Sequence, residues 1–139
     1  VSEIKSSTIE RVLAAAGILA GSLGAFAVGY FNPSTSGFFP VCPLHSLTGL
    51  NCPGCGLTRG FHSLFHGDIF SALQFNLMLP IYLMVFIYIG ISLLLIVFRG
   101  RGLSYKLFAP TPVYIFFIVS FAFGILRNLP FYPFTIFSP

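Results

Sequence analysis

Three stretches of the chain, residues 12–31, 75–98 and 111–127, run almost without charge between segments where polar residues return. A bilayer core about 30 Å thick is crossed by about 20 apolar residues in helix, so each stretch is read as a membrane span. Val12 to Phe31 is rich in Ala and Gly, and Gly17, Gly21 and Ala25 recur every fourth residue. Such a stripe lets a second helix approach closely, although Gly and Ala are common in membrane helices for any reason. Pro80 falls near the start of the second span, where a missing N–H is tolerated. Thr111 and Pro112 read as the N-cap and first residue of the third, the shortest of the set.

Between the first two spans the pattern changes. Leu57, Phe61, Leu64 and Phe65 repeat at helical spacing, with Arg59, His62 and His66 on another face. That is the pattern of a short amphipathic helix at the membrane surface. Gly67 suits its C-terminal stop, and Asp68 suits the cap of a second short helix starting at Ile69. The expected fold is therefore an all-α membrane protein, one domain over residues 1–139, with three transmembrane helices and a Cys-rich hairpin plus interfacial helices in segment 42–76.

Composition strengthens that picture. Only 7% of the 139 residues are charged, against roughly a quarter in a soluble domain. Hydrophobic residues make up 56%, including 18 Phe, more apolar surface than a chain of this size buries within itself. Lipid is the expected cover. The net charge of +4 comes from basic residues scattered singly, without the patch that phosphate binding needs, so nucleic acid is not an expected partner. The first apolar run lacks a small-residue cleavage site and reads as a retained anchor.

Basic residues also set an orientation. Lys5, Arg11, Arg99, Arg101 and Lys106 flank one side of the spans, and Arg59 and Arg127 the other. The positive-inside rule then predicts a cytoplasmic N-terminus, with the cysteine segment and the C-terminus outside. The tail from Leu129, with Pro130, Pro133 and Pro139 among aromatics, is expected to lie extended at the interface.

The chemistry is concentrated in the run from Cys42 to Arg59. Cys42 and His45 are two residues apart, as are Cys52 and Cys55, a spacing by which one turn supplies two corners of a zinc tetrahedron. A Cys3His site of Cys42, His45, Cys52 and Cys55 is one reading. Pro53 stiffens the turn, and Gly56 permits a positive φ that aims backbone N–H groups at the sulfurs. The same Cys52-Pro53-Gly54-Cys55 is also a C-x-x-C dithiol, the alternative redox pair, with Cys42 as a resolving thiol. A static disulfide holding the loop is a third reading.

Asp68 is the only acid after Glu10, and it is expected either to pair with Arg59 or to serve as a helix cap. His62 and His66 are four apart, a spacing open to metal or haem, although interfacial histidines more often bond to backbone or water. Gly56 after Cys55 removes the C-x-x-C-H motif of covalent haem attachment. Ser92, Ser120 and Asn128 are too sparse to outline a route for a transported solute.

Leu47-Thr48-Gly49-Leu50, then Cys52-Pro53-Gly54-Cys55-Gly56, Thr58-Arg59, Gly67-Asp68, Ala72 and Asn76, resemble a family of small bacterial membrane proteins, domain-of-unknown-function family 2752. The resemblance covers Cys42 to about Asn76. It implies a bacterial inner-membrane location and, through Cys42 and a frequent histidine at His45, a shared four-ligand site. It implies no reaction. The family usually carries Pro directly after the Asn, where this chain has Leu77.

The expected function is a small accessory or assembly subunit, packed among other membrane proteins, with a structural zinc site and no catalysis of its own. The alternative is an outward-facing thiol-disulfide oxidoreductase using Cys52 and Cys55. Zinc is the expected cofactor, with haem or quinone left open.

Overall fold

A computed structural model describes residues 6–37 and 39–131 and contains helices but no strand among them. α1 spans Thr8–Tyr30. It starts four residues before the expected span because Ser7 and Glu10 form a capping box: Ser7 Oγ accepts from Glu10 N at 3.2 Å, and Glu10 Oε2 from Ser7 N at 2.8 Å. Three short helices follow, α2 (Pro43–Thr48), α3 (Leu57–Phe65) and α4 (Ile69–Phe75). α5 spans Leu79–Arg99, a 3-10 turn covers Tyr105–Phe108, and α6 spans Pro110–Leu126.

α1 and α5 are long and apolar enough to cross a membrane; α6, at 17 residues, is shorter. Hardly a residue of α1 or α5 is buried within the chain, and Leu13, Leu19, Phe26, Met84 and Phe98 point outward. These helices therefore do not form the core of a water-soluble protein, whose long apolar helices are covered by their neighbours. The two run antiparallel. Ser6 N donates to Gly100 O at 2.9 Å at one end, while at the other His62 Nδ1 sits 2.7 Å from Val28 O and draws α3 against the end of α1. Of the small-residue stripe, Gly17 faces Leu93, whereas Gly21 has open space around it.

α5 begins at Leu79, whereas the second span was expected to start at Phe75. Phe75 ends α4, and Asn76 then takes an extended conformation, with its side chain turned inward. Its Oδ1 accepts from Met78 N at 2.9 Å, a local bond that competes with helix continuation. α6 begins at Pro110, capped by Ala109, so Thr111 is not the N-cap.

The chain after Arg99 folds back along α5. Leu103 N donates to Ser92 Oγ at 3.1 Å, the Tyr88 hydroxyl donates to Ser104 O, and Phe108 packs against Tyr88. α6 therefore starts beside the middle of α5 and descends past Tyr82, where Phe116 packs edge-on at 5.6 Å. Ser92 and Tyr88 thereby satisfy backbone groups of the irregular returning segment. α6 ends where the cysteines are.

Candidate metal centre

The site is assembled from two loops and the ends of three helices. Cys42 is the N-cap residue of α2, with Pro43 opening the helix and Gly49, at φ 73°, closing it. Thr48 Oγ1 donates to Leu44 O and accepts from Leu50 N, which turns the chain back towards Cys52. Cys55 N donates to Cys52 O at 3.0 Å, closing the Cys-Pro-Gly-Cys turn, and Cys52 N points at Cys55 Sγ from 3.2 Å. Gly56 takes φ 80°, the positive value expected of it, and leads into α3.

The three sulfurs converge. Cys42 Sγ lies 3.2 Å from Cys52 Sγ, Cys52 Sγ lies 3.1 Å from Cys55 Sγ, and all three fall within 4.8 Å of one another. Three sulfurs at this spacing can hold a metal ion. The ring of His45 is not drawn into the cluster; it lines a cavity of about 250 Å³ whose wall also includes Cys42 and Cys55.

The thiols differ in their surroundings. The backbone N–H of His45, in the first turn of α2, faces the Cys42 sulfur; with the Cys52 thiol beside it, this lowers the Cys42 pKa from 9.0 to about 7. Burial pushes Cys55 up to about 12, and its two sulfur neighbours act in the same direction.

Behind the turn lies a buried polar clamp that the sequence did not announce as part of the site. Asn76 is completely buried, and its Nδ2 donates to Pro53 O at 2.8 Å and Cys55 O at 3.3 Å. Arg127, only 2% exposed at the end of α6, donates Nη1 to Cys52 O at 3.0 Å and to Cys55 O at 2.9 Å, and its guanidinium lies over the Phe123 ring. Asn128 reciprocates with the backbone of Asn51, accepting from its N and donating to its O, each at 2.8 Å. Gly124 lets α6 approach Pro53, where a Cβ would stand 3.0 Å from the proline ring. Counting Arg127 and Asn128 among flanking polar residues concealed this role. The one available signal was two adjacent polar residues ending an otherwise apolar helix.

Asp68 caps α4, its Oδ1 accepting from Ser71 N at 3.0 Å; the Ser71 hydroxyl and then this N–H hold its carboxyl below the usual range. Arg59 lines the cavity above the cysteines. His62 and His66 use Nδ1 towards the backbone oxygens of Val28 and His62, with their rings 4.4 Å apart.

Residues 42–90 match the family described as a protein of unknown function, DUF2752, so the resemblance runs beyond Asn76 into α5. The matched stretch contains the three cysteines, the α3–α4 pair and Asn76, but stops short of Arg127. No curated protein and no solved structure matched the chain.

Proposed function

We propose that this is a small inner-membrane protein of bacteria that holds one zinc-type ion on Cys42, Cys52 and Cys55 and serves as an accessory or assembly subunit, without catalysis of its own. The convergence of three sulfurs from two separate segments carries the reading. Zinc–sulfur bonds of about 2.3 Å set tetrahedral neighbours about 3.8 Å apart. Two of the sulfur separations, 3.1 Å and 3.2 Å, fall about 0.6 Å short of that edge, and all three lie within 4.8 Å, so a small outward shift of the thiols would seat the ion. Two different chain segments contribute, so a bound ion would fasten α2 to the turn that precedes α3. His45 lines the cavity beside Cys42 and Cys55.

In this reading α6 is a third, shorter membrane helix, and the cysteine end faces the periplasm. Support comes from Arg11 and Arg99, which lie at the end opposite the cysteines. The outward Phe and Leu side chains suit lipid and neighbouring subunits.

A thiol-disulfide oxidoreductase is the second reading. It is favoured by the place of Cys52, within 3.2 Å of both other sulfurs, from which it can exchange one partner for the other.

The two readings separate on protein purified from membranes without reductant. Metal content is measured beside the thiols alkylated before and after chelation. One zinc per chain, with cysteines released by the chelator, supports the metal reading. No metal and a reducible disulfide would favour redox chemistry.

A further inference from the structure

We infer that the metal held by Cys42, Cys52 and Cys55 keeps its fourth coordination position open and takes there a small anionic donor from solution, a thiolate above all. The inference rests on the metal reading and adds what that site binds. A structural zinc site is closed by four protein ligands, whereas a site with three keeps one position for an outside ligand. Here three sulfurs cluster, and His45, which lines the adjoining cavity, is not part of the group.

The two faces of the cluster differ. On one, Asn76, Arg127 and Pro53 pack the turn against the end of α6. On the other lies the cavity of about 250 Å³, walled by Cys42, His45, Asn51, Cys55, Thr58 and Arg59 among others. That volume exceeds the need of one water several times over and admits a molecule of amino-acid size.

Charge selects the ligand. Among the described residues no carboxylate lines the cavity, and Arg59 is a cationic residue of its wall. A divalent ion with three thiolates carries one net negative charge, and a fourth thiolate makes two. Arg59, exposed on the cavity wall, and Arg127, bonded to the turn itself, supply two positive charges on the two sides of the cluster. A thiolate matches the softness of the other three ligands and balances the site. The exchange is plain ligand substitution: water leaves the metal, the thiol gives its proton to solvent, and no electron moves.

Cobalt(II) reports this directly in the full chain in detergent micelles, because its visible bands follow the ligand set. Titration with 2-mercaptoethanol should shift the bands saturably while cobalt stays bound, and imidazole should do so separately. Arg59→Gln should weaken the thiol roughly tenfold, the loss expected for one charge-assisted contact, and leave imidazole unchanged. His45→Ala should keep both the starting spectrum and the response. A wild-type spectrum that the thiol does not move, together with a changed starting spectrum in His45→Ala, would show that His45 closes the site and overturn the inference. An unchanged thiol affinity in Arg59→Gln would overturn its anion selectivity. Failure of cobalt to bind the fully reduced protein would remove the metal reading itself, and this inference with it.

Discussion

Arg127 donates to the carbonyl of Cys52, 75 residues earlier in the chain, and so fixes the end of the last helix to the turn that carries two of the three thiols. The bond joins a part of the chain outside the matched family segment to the centre of that segment. The site is therefore completed by α6. Arg127→Ala removes the charged donor from the Cys52 and Cys55 carbonyls, which keep the Cys55 N–H and the Asn76 amide, at a cost of roughly 2–4 kcal/mol. The melting temperature in detergent should fall, and Cys55 should become open to alkylation. Arg127→Lys should rescue only part of this, because an ammonium can stand in for Nη1 at the two cysteine carbonyls but has no second arm for the Nη2 bond to Phe75 O.

Asn76 provides the second half of the clamp. Asn76→Asp keeps the volume but replaces a two-bond donor by an acceptor facing Pro53 O and Cys55 O. Its destabilisation should exceed that of Asn76→Ala, since a buried carboxylate against carbonyl oxygens is worse than a missing group. Thermal unfolding of the two variants side by side gives the order.

Gly60 is required by packing. A Cβ there would stand 2.6 Å from Leu79 Cδ1 and 3.1 Å from Ala72 O, where α3, α4 and the start of α5 meet. Gly60→Ala should cost about 1–3 kcal/mol through overpacking. Gly21→Ala, with nothing within 4 Å, should fold and melt like the parent protein.

Much of this architecture was legible in the pattern of apolar residues. The two long helices, the amphipathic α3, the Asp68 cap and the positive φ at Gly56 each follow from local chemistry that a short window contains. The clamp was not legible, because Asn76, Arg127 and Asn128 act on carbonyls and amides far away in sequence, and any backbone group looks the same as any other in a sequence. Ser92 shows the same limit: it read as an isolated hydroxyl in a membrane helix, and it receives the N–H of the returning chain. His45, chosen for its spacing from Cys42, lies in α2 and lines the cavity beside the three sulfurs.

The metal-free thiols should differ in reactivity with pH. The thiolate is the nucleophile, so Cys42, lowered to about 7, should alkylate slowly below that pH and reach a plateau above it. Cys55, buried and pushed up to about 12, should stay unlabelled up to mildly alkaline pH. Mass spectrometry of reduced, chelated protein after timed iodoacetamide treatment at several pH values reads both. Equal rates at the two positions would contradict the described surroundings.

The account turns on three sulfurs sharing one ion, and X-ray absorption at the zinc edge of protein isolated from membranes tests this most directly. The prediction is three sulfur neighbours at about 2.3 Å and one lighter or exchangeable ligand. A zinc shell containing no sulfur, or one sulfur alone, would contradict it.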